Sequence, residues 1–312
     1  ESGRNREREA VWNGHVPEAA MPVLNQKEQK VNVTALEELA KCPFRYYVNR
    51  LVKWVPLVPL GFLNQLSPLD WGTLVHKCLE LLMQPYRGQE VPLQKIAGQL
   101  LESDAKQLKK VMASLPNHLL ACLKIIPIPF SQLEINRLEK LLKDYFETVA
   151  NRENGENEVD QFLVDLELKL RAPFPGLEGV NISGKIDRID QQGNDFYICD
   201  YKSGSSPSST SLSKKVSLGH TIQPILYPSL LLYHRIFSKG QKNSSGLVNF
   251  SFVYLKDSPP SEKPVPHEEK IEEFLKPLAE ILENGMYLPT PDQTMERLEI
   301  EAEPCLYCQH TS

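Results

Sequence analysis

The 312-residue chain has no surplus of positive charge: 35 Lys and Arg stand against 40 Asp and Glu, a formal net charge of −5. A uniformly basic surface is therefore excluded, and any nucleic-acid partner has to be held by local patches or through metal ions. Long apolar runs are missing too. The nearest candidate, LVKWVPLVPLGFL, is broken by Lys53 and two prolines and falls short of the roughly 18 to 20 apolar residues of a membrane span, so no membrane partner is expected. Six cysteines are too sparse for a disulfide scaffold. The opening ESGRNREREA lacks the charged-then-apolar pattern of a secretory signal, which makes a reducing compartment, the cytoplasm, the expectation. There is no internal repeat. The first residue is Glu and the chain stops at CLYCQHTS, so a piece excised from a longer protein is expected.

What is present is enough apolar sequence, 41%, to bury a substantial core. Residues 1–30 are polar and aperiodic and read as a mobile lead-in or linker remnant. Thr34 followed by Glu37 reads as a capping box opening a helix that Pro43 divides, and Asp70 precedes a second helix, WGTLVHKCLELLMQ. Residues 90–152 show apolar spacing near three and four, the mark of a helical insertion. The period then changes. Phe162, Val164, Leu166, Leu168 and Leu170 alternate with polar residues as in a half-buried strand. Two further strands, about 180–190 and 195–202, form a hairpin through QQGND. SGSSPSSTSLSKK reads as a loop, TIQPILYPSLLLYHRI as a helix, GLVNFSFVYL as a strand and EKIEEFLKPLAEILENG as a helix. The order predicts an α/β fold with a mixed central sheet flanked by helices, its core spanning about 160–285 and a Cys-containing segment following at 286–312.

The hairpin GKIDRIDQQGNDFYICDYKSG carries more charge than buried strands tolerate. Asp200 and Lys202 share a face with Phe196 and Ile198, and Asp187 lies across the hairpin, in register for the two carboxylates to approach. Adjacent carboxylates repel unless a cation sits between them. A hard divalent ion such as Mg²⁺ or Mn²⁺ satisfies that arrangement with a few oxygen ligands, and Lys202 is then placed to orient an attacking water. An isolated D-x-K is otherwise an ordinary ion pair worth about 0 to 1 kcal/mol. His76, taken alone, is a core histidine, and Gln223 and Tyr227, taken alone, are surface residues sharing a helix face. Glu167 shares its strand face with Asp165 and Lys169 and reads as surface.

Together GTLVHKCLE, GKIDRID, DYKSG and QPILY resemble the PD-(D/E)xK nucleases, in particular their RecB/AddB-like branch, across nearly the whole span from Val31 to the end. The resemblance implies a restriction-endonuclease-like core with a bound Mg²⁺ or Mn²⁺. It makes His76, Asp187 and Asp200 metal ligands, helped by the Tyr201 carbonyl, and it makes Lys202 catalytic, with Gln223 and Tyr227 reaching the site or a DNA phosphate. Cys42 in CPFRYY, with Cys305 and Cys308 in PCLYC, resembles the split iron–sulfur signature of that branch, a 4Fe–4S site whose fourth Cys is absent from this chain. Three explanations stand: a chain cut short of the last ligand, a Cys₃His zinc site completed by His310, or unliganded cysteines. Cys78, Cys122 and Cys199 read as core residues.

KCPFRYYVNRLVKW interleaves cations with aromatics, so Arg45 and Tyr46 are candidate contacts to single-stranded DNA, with core packing of the aromatics the competing reading. The implied function is a metal-dependent DNA nuclease, an exonuclease on single-stranded ends, working with a fused or separate helicase in repair or recombination. The alternative is a non-catalytic DNA-end-binding or scaffolding module that keeps the fold.

Overall fold

Side chains on a strand alternate between faces, and here alternate residues enter two different cores. Ile198, Phe250 and Phe252 join one apolar cluster, while Cys199, Tyr201 and Val253 join the other. The computed structural model describes residues 29–53, 67–102, 110, 111, 114, 132–152, 159–217, 219–238, 246–266 and 271–284. Its strands are β1 (Gln29–Asn32), β2 (Gln161–Pro173), β3 (Val180–Gln192), β4 (Asp195–Lys202), β5 (Val248–Tyr254) and β6 (Ser261–Val265). They form one mixed sheet. β1–β3 and β4–β5 pair parallel; β2–β3, β3–β4 and β5–β6 pair antiparallel.

Helices α1 (Val33–Lys41), α2 (Pro43–Tyr46), α3 (Pro68–Met83), α4 (Leu93–Glu102), α5 (Gln132–Ala150), α6 (Ser209–Ser217), α7 (Gln223–Ser238) and α8 (Ile271–Asn284) flank the sheet. Leu36 and Leu39 of α1, Leu212 and Val216 of α6, Leu226 and Leu230 of α7 and Leu278 and Leu282 of α8 cover one face. Val75 and Leu79 of α3, Ile96 of α4 and Leu138 and Leu142 of α5 cover the other. Among the described residues no helix is long and apolar enough to cross a membrane.

Five local expectations change. Gln29 and Lys30, which the sequence assigned to the lead-in, belong to β1, which pairs with Val180–Ser183 of β3. The cap of α1 is Asn32, whose side chain accepts from Ala35 N at 2.7 Å, and Ser67 caps α3. The Ser-rich segment contains a helix, α6, since Leu212 and Val216 lie one turn apart and burial outweighs weak propensity. β6, not anticipated, lies at the sheet's end, where Pro264 can be accommodated.

Candidate metal centre at a strand fork

β2 pairs with β3 along almost its whole length, so β1 and β4 must share the opposite edge of β3. β1 takes Val180–Ser183 and β4 takes Arg188–Gln192. Among the described residues, Gly184 to Asp187 have no strand partner on that edge. At this fork the next backbone donor of β4, Tyr201 N–H, goes to a side chain instead, donating to Asp187 Oδ2 at 2.9 Å.

Alternation breaks on both sides of the fork. In β3, Ile182 and Ile186 face the first cluster and so does Ile189, an odd step. In β2, Leu163 and Leu166 face the second cluster and Leu168 and Leu170 the first. A register shift between Leu163 and Asp165 and a left-handed Glu167 (φ 52°) make the change. A left-handed Glu costs roughly 1 to 2 kcal/mol, and such strain is held where surrounding structure fixes it. The pairs Leu166–Arg188 and Leu168–Ile186 place Glu167 directly opposite Asp187. The expected simple alternation of β2 therefore fails, and Glu167, read from the sequence as surface, is half-buried beside the site.

His76 reaches the fork from α3. Its Nδ1 lies 3.3 Å from Asp187 Oδ1 and its Nε2 2.9 Å from the Tyr201 carbonyl oxygen. Both partners accept, so the ring serves them best as an imidazolium. Burial pulls its pKa down, but the hydrogen bond and charge of Asp187, with the charges of Asp200 and Glu167, outweigh burial and raise it. Asp187 moves the other way: burial raises it, yet His76, the Tyr201 N–H and Lys202 together lower it. Among the described residues, His76, Glu167 and Asp187 have ligand atoms all within 4.8 Å of one another.

Asp200 is not in that group of three. Its buried Oδ2 lies 2.5 Å from Lys202 Nζ, a close ion pair. Burial first, then the nearby charge of Asp187, pushes its pKa up to about 6 against the pull of Lys202. Lys202 also donates to Gln223 Oε1 at 2.9 Å and lies 4.8 Å from the Phe252 ring centroid. Burial works to lower its pKa, but Asp200, Glu37 and Asp187 raise it, so it is an ammonium at neutral pH.

Gln223 and Tyr227 enter from the first turns of α7, despite Pro228 inside the helix. Glu37 fixes that end by accepting from Ile222 N at 2.9 Å and Gln223 N at 3.3 Å. The sequence assigned Glu37 to a local cap; it acts 185 residues away. Gln223 hydrogen-bonds Tyr227, whose pKa is raised by burial and then by Asp200 and Asp187. Tyr227 is buried against Gly184, where an added Cβ would lie 2.5 Å from its Cε1.

Of the remaining candidates, Cys42 is half-buried and its Sγ accepts from Arg45 N at 3.5 Å. Cys305, Cys308 and His310 lie outside the described residues, as do Trp54 and Cys122. Arg45 is exposed and pairs with Glu38 at 3.5 Å. Tyr46 is 3% exposed within the first core, so its ring packs inward and is not offered to a base. Cys78 and Cys199 are buried, as expected. A cleft of about 750 Å³ opens from His76 and Glu167, bounded by α3 and by Leu166, Lys169 and Lys185 of β2 and β3.

A family model described as the PD-(D/E)XK nuclease superfamily matches residues 30–312. Three clostridial relatives are each named as a subunit of an ATP-dependent helicase/deoxyribonuclease. The protein from Clostridium tetani is 24% identical over 71% of this chain and 19% of its own length. That from Clostridium acetobutylicum is 25% identical over 86% and 23%, and that from Clostridium kluyveri 24% over 87% and 24%. The chain thus spans about a fifth to a quarter of the relatives it matches. A mixed sheet between helical layers is the fold such a match requires, and the chain belongs to the PD-(D/E)XK nuclease superfamily, in its RecB/AddB-like branch.

Proposed function

We propose that this chain is a Mg²⁺- or Mn²⁺-dependent deoxyribonuclease, acting as an exonuclease on single-stranded DNA and serving a cytoplasmic helicase–nuclease in repair or recombination. The observation carrying this reading is the convergence of His76, Asp187 and Asp200 with the Lys202 ammonium at the β3–β4 fork. The donor set of carboxylates and one imidazole suits a hard divalent ion. The buried Asp200 carboxylate, its pKa raised by burial and Asp187 in spite of Lys202, and the left-handed Glu167 are the features such an ion would account for. His76, Asp187 and Asp200 would hold it, with Glu167 beside them. When bound, it supplies charge that polarises a phosphate and acidifies a water.

The chain's own groups do the rest. As an ammonium, Lys202 donates to the attacking water and offsets charge developing on the phosphoryl oxygens. Gln223, pinned by Glu37, keeps the ammonium aimed, and the Phe252 ring supports it from below. Tyr227 closes the unpaired edge of β3. Cys42, with Cys305 and Cys308, belongs to the same reading as ligands of an iron–sulfur or zinc site, which iron and zinc assays on the anaerobically purified protein would identify.

Replacing Lys202 by Ala is expected to lower single-strand cleavage by about 10² to 10³ with DNA affinity nearly unchanged, and Asp200→Ala to abolish Mn²⁺ uptake in calorimetry. Equal loss of binding and cleavage in Lys202→Ala would remove Lys202 from catalysis. Wild-type protein that takes up no Mn²⁺ would instead favour the scaffolding module.

A further inference from the structure

Lys169 of β2 and Lys185 of β3 stand directly opposite each other across the antiparallel ladder. Like charges in that position repel and cost stability. Both line the same cleft as His76 and Glu167, together with Lys77 and Arg87; the acidic residues among its lining are Glu80 and Glu167. Three of the four cations have acidic partners: Lys77 with Glu80, Arg87 with Asp165 and Lys185 with Glu167. Lys169 is exposed and has no acidic partner among the described residues. Glu167 answers the charge of Lys185, so the cation left over in the pair is Lys169, two residues along β2 from Glu167, or about 7 Å.

We propose that the Lys169–Lys185 pair is a phosphate subsite for single-stranded DNA, taking a phosphate next to the one at the acid cluster. The strand then runs through the cleft between α3 and the β2–β3 ladder. This rests on the nucleic-acid part of the function proposed above. It is independent of hydrolysis, because the pair would bind the backbone whether or not the adjacent phosphate is cut.

The test is fluorescence anisotropy of a labelled 12-mer of thymidylate with the full chain in EDTA, over a series of salt concentrations. Lys169→Glu should weaken binding at least fivefold, and Lys169→Gln should flatten the slope of log affinity against log salt by about 0.7, one phosphate contact on a single strand. Neither should lower the thermal midpoint, because each relieves the Lys–Lys repulsion. Wild-type affinity and slope in Lys169→Glu would overturn the subsite, even if the protein cleaves DNA with Mn²⁺. Weakened binding in a protein that cleaves nothing with any divalent ion would uphold the subsite and sink the hydrolase.

Discussion

Asp200 is a buried carboxylate whose close cation is Lys202, and burial with the charge of Asp187 lifts its pKa to about 6 against the pull of that cation. For an acid raised in the folded state the sign is unfavourable: metal-free stability falls as pH rises from the ordinary carboxylate value of 3.8 to about 6, and the penalty persists above it. The ceiling is roughly 3 kcal/mol, at 1.36 kcal/mol per pKa unit. Asp200→Asn removes that cost and gives up the Lys202 ion pair. In EDTA at pH 7 to 8 it should unfold about 1 to 2 kcal/mol later in urea than wild type, with the advantage shrinking below pH 6. A variant no more stable at pH 8 than at pH 4, relative to wild type, would mean that Asp200 is not strained. Under the proposed metal site, Mn²⁺ uptake should weaken below about pH 6 and release protons, since His76 would also have to lose one to become a ligand.

At the scale of elements, α7 packs closely on β3 at Gly184, where Tyr227 and Leu230 occupy the space a side chain would need. Gly184→Ala would set a methyl 2.5 Å from the Tyr227 ring, so either the ring or the strand has to move. The expected cost is about 1 to 3 kcal/mol, with cleavage lost beyond what the stability change explains because Gln223 moves with Tyr227. A Gly184→Ala protein with wild-type urea midpoint and activity would show that the fork tolerates a wider opening. A break within β2 itself explains why it does not follow a simple period of two. Alternation assumes an unbroken pleat, and the slip before Asp165 with the left-handed Glu167 turns the strand over midway.

At the scale of the whole molecule, the second core carries charge that supports the site from behind. Arg188, 2% exposed, donates to Asp190 Oδ2 at 2.9 Å, to Tyr201 Oη at 2.8 Å, to Cys199 Sγ and to Tyr145 Oη. Tyr201 is the residue whose backbone N–H and carbonyl hold Asp187 and His76, so this network ties α5 and the far layer to the fork. Arg188→Leu leaves Asp190 buried without its counter-charge and should cost about 3 to 5 kcal/mol in urea unfolding. If Arg188→Leu costs under about 1 kcal/mol, the network is not a structural support. A further change of Asp190 to Asn should restore part of the loss.

The amino-acid sequence by itself determined the element types and most of their order, and it placed Asp200 and Lys202 at the end of an apolar strand face. Those properties depend on neighbours one or two residues, or one helical turn, away. It also held the residues that carry family membership, because DYKSG and GKIDRID each lie within a single strand or its end. Only the tertiary structure decided that Glu167 faces Asp187, that Glu37 caps α7 and not α1, that Asp200 leans on Lys202 outside the tightest ligand group, and that Tyr46 is core. Each follows from how layers and strand edges meet. His76 and the Tyr201 carbonyl are 125 residues apart in the chain and 2.9 Å apart in space, and no local period records such a contact.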